Sequence, residues 1–118
     1  MTAEQTLYGI LSADSSLAGL VDTRIYKDVI PQPDDLPAVV YSRTGTEPVQ
    51  TIHGVNIASF AELQVQVWAK SRATAEQVSA AIVAALDAAG EPYTSLGALY
   101  DEETKCHGVS LDVQIFET

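Results

Sequence analysis

Cys106 and His107, together with His53, are the residues whose types come nearest to a metal or nucleophile site. A transition-metal centre needs ligands at spacings such as C-x-x-C or H-x-x-x-H, and neither spacing occurs around these residues. Neighbouring side chains on a strand also point to opposite faces, so Cys106 and His107 are badly placed to share one metal ion or to form a nucleophile pair. We therefore predict no metal ligands here and interpret the two residues as an ordinary pair at the edge of a turn.

Two acidic pairs, Asp34-Asp35 and Glu102-Glu103, could in principle perform acid–base chemistry. Such chemistry requires burial that separates the pKa values of the two carboxyl groups, whereas both pairs lie in predicted turns that water reaches. The seven glycines are scattered and form neither a GxGxxG nor a Walker-type phosphate loop. We therefore expect no catalytic residue, no cofactor-binding residue and no cofactor, and a protein that is not an enzyme.

The elements that would position any site must fit into 118 residues, which predicts a single domain over residues 1–118. Apolar residues make up 47% of the chain, enough for a folded core. Six basic and sixteen acidic side chains give a net charge of −10. Because phosphate contacts need clustered lysine and arginine, this balance disfavours direct binding to nucleic acid and to anionic membranes.

Cysteine usage and hydropathy predict where such a chain would fold. Cys106 is the one cysteine, so no internal disulfide can form. The first residues lack the basic region of a signal peptide, and no apolar run approaches the roughly 18 residues of a membrane-spanning helix. We expect an intracellular domain with no membrane partner.

Helical periodicity occurs in two places. Apolar residues from Ala3 to Leu17 follow a 3.6-residue repeat, and Asp14 either ends this helix or caps a short second turn. Ser71 caps a long, alanine-rich helix that Gly90 and Pro92 end. The spacing of its apolar residues predicts one continuous face for packing on a sheet.

Alternation of apolar and polar residues predicts the strands 24–30, 38–44, 62–70, 98–100 and 108–116. The resulting order is α-β-β-β-α-β-β. Because one face of each strand is apolar, we predict an α+β two-layer sandwich, with a mainly antiparallel four- to five-stranded sheet and two helices on one face. The expected core is Leu7, Ile10, Leu11, Leu63, Val65, Val67, Val78, Ile82, Leu86, Val109, Leu111 and Val113.

Residues 45–59 contain two glycines and a proline, so we interpret them as a long irregular segment with apolar side chains to bury. Trp68 and Phe116 interrupt the polar face of the two best strands and could form a cross-strand pair. Two interpretations stay open. Either the long segment covers these rings within its own subunit, or the region is a subunit interface. The candidate interface residues are Val49, Ile52, Val55, Ile57, Trp68 and Phe116.

A specific order of short motifs runs through the first half of the chain. After a short helix come Leu17-Ala18-Gly19-Leu20 and Arg24-Ile25-Tyr26, then Ile30-Pro31-Gln32 and Leu36-Pro37, and later Val65-Gln66-Val67-Trp68. Over residues 5–90 this pattern resembles the tail completion (tail terminator) family of long-tailed bacteriophages and prophages. Asp22 and Ser15 depart from it, at turn positions where the family often has glycine and proline.

The resemblance implies a structural virion protein. The resemblance implies a small α+β subunit that assembles with further copies into a ring, often a hexamer. This ring closes the tail tube and joins it to the head connector. The resemblance further implies contacts of the chain with itself, the tail tube protein and the head connector protein, in the virion tail and, during assembly, in the host cytoplasm. An acidic subunit suits a ring through which DNA must slide. The alternative is a cytosolic α+β domain that binds a small ligand or has a minor enzymatic activity.

Overall fold

The computed structural model describes residues 2–29, 36–50, 54, 56–91 and 93–117. Three helices and five strands follow one another as α1 (Ala3–Ala13), α2 (Ser15–Val21), β1 (Ile25–Lys27), β2 (Ala38–Gln50), β3 (Asn56–Ala69), α3 (Arg72–Ala88), β4 (Tyr93–Asp101) and β5 (Cys106–Glu117). The sheet has the order β1-β2-β3-β5-β4, with β1 parallel to β2 and the other pairs antiparallel. The predicted α+β class with a mainly antiparallel sheet is confirmed, with a third helix added.

Side-chain caps explain where the helices begin. Thr2 accepts from the Gln5 amide at 3.2 Å, and the Gln5 side chain accepts from the Thr2 amide at 2.9 Å, which completes a capping box. The Asp14 carboxylate accepts from the Leu17 amide at 2.9 Å and so starts a second helix, one of the two readings of that residue. Ser71 caps α3 as expected, and Gly90 follows its end with a φ of +76°.

The core lies between the three helices and one face of the sheet. Ala3, Leu7 and Leu11 of α1 pack there with Val78, Ile82 and Leu86 of α3 and with alternate residues of the strands. Of the predicted core residues, Ile10 is half-buried and packs against this core, and all the others are buried. The helices therefore cover one sheet face, and among the described residues no helix lies over the opposite face.

The expectation of an irregular segment over residues 45–59 is wrong for 45–50 and 56–59, while 51–53 and 55 lie outside the described residues. β2 and β3 continue through most of it as an antiparallel hairpin, paired from Ala38–Trp68 to Gln50–Asn56. A bulge between Arg43 and Gly45 shifts the register and thereby breaks the simple alternation that predicts a strand. Gly45 and Pro48, which favoured a loop, lie within this paired strand.

Three other strand boundaries also differ from the prediction. β1 is shorter, because Asp28 adopts a φ of +68° directly after Lys27 and so leaves the extended conformation. β4 is longer and starts at Tyr93, with a register shift between Tyr93 and Ser95 that hides its periodicity. β5 starts earlier, at Cys106.

Candidate subunit interface

The β2–β3 pairing continues past the neighbouring strands β1 and β4. We call residues 44–50 and 56–61 the hairpin arm; they lie beyond the part of the sheet that β1 and the start of β4 reach. The molecule measures 51 × 30 × 22 Å along its principal axes. Thr46, Glu47 and Pro48 are exposed on this arm. The arm is therefore a surface element that other molecules can reach.

The base of the hairpin arm is tied to the first helix by charge. Arg43 donates through Nη2 to Glu4 Oε1 at 2.6 Å, and through Nη1 to the Thr46 hydroxyl at 2.9 Å. Lys27 Nζ lies 3.8 Å from the other Glu4 oxygen. The Arg43 hydrogen bond outweighs desolvation and holds the pKa of Glu4 below its ordinary value. Arg43 thus connects α1 and β2 with Thr46 of the arm.

The aromatic rings at the two ends of β3 form separate contacts. Phe116 pairs with Phe60, and their ring centroids lie 5.3 Å apart in an edge-to-face arrangement. Phe116 is 50% exposed, so this pair is a surface feature beside the hairpin arm. Trp68 lies eight residues along β3 from Phe60, about 27 Å away at the usual strand rise. The expected Trp68–Phe116 pair is therefore wrong, although their strands are neighbours as assumed.

Trp68 packs within its own subunit instead. Its strand partner is Gly108, and a Cβ placed on that glycine would approach the indole Cε3 and the Val67 carbonyl oxygen to 2.9 Å. The indole nitrogen donates to Gln66 Oε1 at 3.3 Å. Trp68 is half-buried by these contacts rather than by residues 45–59, so the idea that this segment covers Trp68 is also wrong for its described residues.

The remaining candidates lie in the hairpin arm or outside the described residues. Val49 is a position of β2, where it pairs with Ala58, and Ile57 is a position of β3. Ile52 and Val55 lie outside the described residues. The structure therefore brings Val49, Ile57 and Phe116 to the same end of the sheet and leaves Trp68 at the other end.

Sequence reasoning missed a second exposed surface, on the edge strand β4. Its register places Tyr93, Leu96, Ala98 and Tyr100 opposite residues of β5, three of which belong to the core, so these four share the helix-covered face of the sheet. We call them the β4 stripe. Tyr93 is 40%, Leu96 48% and Tyr100 52% exposed. The register shift after Tyr93 interrupts the alternation, which is why the pattern was not visible in the sequence.

Arg72 at the start of α3 holds β4 to the body of the molecule. Its guanidinium donates to the Gly108 carbonyl at 2.7 Å and to the Leu99 carbonyl at 2.8 Å. These two acceptors belong to cross-strand partners in β5 and β4. A planar guanidinium can span two such acceptors at once. Arg72 therefore fixes an edge strand whose nine residues are all exposed or half-buried.

The residues first considered for chemistry lie at the opposite end of the β4–β5 hairpin from Tyr93. Cys106 pairs with Asp101, and the His107 ring lies 4.9 Å from the Tyr100 ring, with its Nδ1 buried and without a hydrogen-bond partner. His53 is outside the described residues. Within the described part of the chain no three histidine, cysteine or acidic residues are grouped so as to hold a metal ion. Glu102 and Glu103 are exposed in the turn, and Asp34 and Asp35 are outside the described residues.

Two of the motifs on which the family resemblance rests hold the starts of β1 and β2 together. Arg24 donates through Nε to the Pro37 carbonyl at 2.9 Å, and its own carbonyl accepts from the Val39 amide. Ile25 then pairs with Val39 in the parallel β1–β2 ladder. The Arg-Ile-Tyr and Leu-Pro motifs therefore join the starts of two strands. No helix in the described ranges is both long and apolar enough to cross a membrane.

These features define a small two-layer α+β protein with an extended hairpin and an uncovered edge strand. The profile described as tail completion protein gp17 matches residues 5–118, and the chain belongs to this family. It is therefore a structural protein of bacteriophage tails. The match continues past residue 90, where the resemblance seen in the sequence ended.

Comparison with solved structures supports the same fold. A chain from a structure titled "Virion of native gene transfer agent (GTA) particle" superposes with a TM-score of 0.79 and is 23% identical, over 94% of this chain and 90% of that one. At this identity the likeness concerns the fold. No curated protein matches the chain.

Proposed function

We propose that this chain forms a closed ring, which in proteins of this kind is often a hexamer, and that the ring ends the tail tube and joins it to the head connector. Its partners are other copies of itself, the tail tube protein and the head connector protein. The assembly takes place in the host cytoplasm, and the finished ring lies in the virion tail. Membership of the tail completion family supports this role.

The hairpin arm is the observation that carries the proposal from family to subunit contact. Residues 48–61 form the longest stretch of the sequence without a charged side chain. It contains all four aliphatic candidates, Val49, Ile52, Val55 and Ile57, and Phe116 lies beside its base. An uncharged stretch rich in apolar residues, at the end of the sheet where Pro48 and Phe116 are exposed, is typical of a surface that a partner covers. Trp68 packs on Gly108 at the other end of β3 and is half-buried, so it remains a candidate for a partner contact separate from the arm.

The charge of the chain suits a passage for DNA. A net charge of −10 per subunit repels phosphates rather than binding them. The sheet face without helices carries Glu62, Gln64 and Asp112 around a shallow concavity. We accordingly propose a structural, non-catalytic role without direct nucleic-acid binding. Fluorescence anisotropy with duplex DNA at physiological salt should show no binding, and micromolar binding with a steep salt dependence would contradict this part of the proposal.

The oligomeric state tests the ring directly. Size-exclusion chromatography with light scattering should be run on the chain alone and on the chain mixed with assembled tail tubes of the same phage. We expect a closed oligomer, in solution or on the tubes, that negative-stain electron microscopy shows as a ring capping one tube end. Tubes that remain uncapped at saturating chain concentration would refute the proposal.

A charge in the hairpin arm should weaken the ring. Val49→Lys adds a cation at a position that we place in a subunit contact, whereas Val29→Lys makes the same chemical change at an exposed residue after β1, outside the arm. We expect Val49→Lys to reduce capping of tail tubes at least tenfold and Val29→Lys to leave it unchanged. Equal effects of the two variants would show that the arm has no special role.

A further inference from the structure

We draw no further inference here: the strongest candidate, the row of exposed apolar side chains formed by Tyr93, Leu96 and Tyr100 along the edge strand β4, carries no proposal because nothing in the described part of the structure shows what covers this edge.

Discussion

Leu111 and Leu96 are cross-strand partners on the same face of one sheet, yet Leu111 is fully buried and Leu96 is 48% exposed. They are the same residue type and differ in their surroundings: Leu111 lies in an inner strand beneath the helical layer, and Leu96 lies in the edge strand beside it. α3 packs over β3 and β5, and no described β4 residue enters the core that the helices cover. The comparison shows that helical cover and an inner place in the sheet together bury a side chain here, and that a strand can carry a core-like pattern without being in the core.

This difference in burial also separates the part of the molecule that stabilises the fold from the part that is free to contact a partner. The covered centre of the sheet holds the fold together, because each fully buried leucine contributes about 1.5–3 kcal/mol. The uncovered margin, formed by β4 and the exposed part of the hairpin arm, buries less apolar area, and we expect it to contribute less to the stability of one subunit. Apolar side chains retained at such a margin are better explained by contact with a partner than by folding.

Truncation at the covered member of the pair should have the largest effect. Leu111→Ala removes a fully buried side chain from beneath the helical layer, and we expect a loss of about 2–5 kcal/mol in the free energy of unfolding. Urea denaturation followed by circular dichroism measures it. A loss below about 0.5 kcal/mol, the range of surface substitutions, would mean that the centre of the sheet is not covered as described.

The sequence predicted the covered centre well and the margin poorly, for a physical reason. Val65, Val67 and Val109 lie in strands that alternate without interruption, because one face is packed and the other is wet. In the hairpin arm, a bulge after Arg43 resets the alternation, and Gly45 and Pro48 resemble loop residues. On β4, the shift after Tyr93 has the same effect.

The candidate site shows the same limit. Phe116 and Val49 were recognised as candidates and do lie near one end of the sheet. The prediction that Trp68 lies beside Phe116 is wrong because the alternation of apolar residues does not contain the register between their two strands. The partner Gly108 explains the position of the Trp68 ring, because a glycine opposite an aromatic residue leaves room for the ring to lie on the backbone. Pairing of this kind is decided by tertiary register, which single-sequence periodicity does not contain.

Gly108→Ala should cause the next largest loss in the free energy of unfolding. It places a methyl group where β5, at the edge of the covered sheet, pairs with β4. The new Cβ would meet the Trp68 ring and the Val67 carbonyl oxygen at 2.9 Å, and the backbone atom cannot move aside easily. We expect a loss of about 1–3 kcal/mol. Gly97→Ala on β4 is the matched control, since nothing lies within 4 Å of its Cβ position. Similar thermal melts for the two variants would contradict the packing of Trp68.

Arg72→Gln tests whether the hydrogen bonds of Arg72 hold β4 in place. The variant loses the hydrogen bonds to the Leu99 and Gly108 carbonyls, and we expect a loss of about 1–2 kcal/mol. We also expect the amide hydrogens of β4 to exchange faster in the variant than in wild type, with a smaller change in β3. Lys70→Gln, an exposed neighbour, controls for the change of charge. Unchanged exchange in β4 would show that the strand does not depend on Arg72.

The charge cluster at the base of the hairpin arm should make a smaller, pH-dependent contribution. The Arg43 contact lowers the folded-state pKa of Glu4 below 4.5, so its stabilisation is complete at pH values well above 4.5 and is lost as the pH falls through the folded value. At pH 7 we expect Glu4→Gln to cost about 0.5–1 kcal/mol.

Denaturation at a series of pH values checks this cluster. The difference between wild type and Glu4→Gln should shrink steadily below pH 4.5. Glu76→Gln, on the exposed side of α3, should differ little from wild type over the same range. A Glu4→Gln difference that stays constant with pH would mean that the lost stability comes from packing rather than from the ion pair with Arg43.

The smallest effect is expected at the uncovered member of the leucine pair. Leu96→Ala removes the same atoms as Leu111→Ala from the neighbouring position on the same face, but from a side chain that is 48% exposed. We expect a loss below about 0.5 kcal/mol in the isolated subunit. Urea denaturation of the two alanine variants under identical conditions gives the ratio directly. A loss at Leu96 close to that at Leu111 would show that β4 is covered within the subunit, and the reason to look for a partner at this edge would disappear.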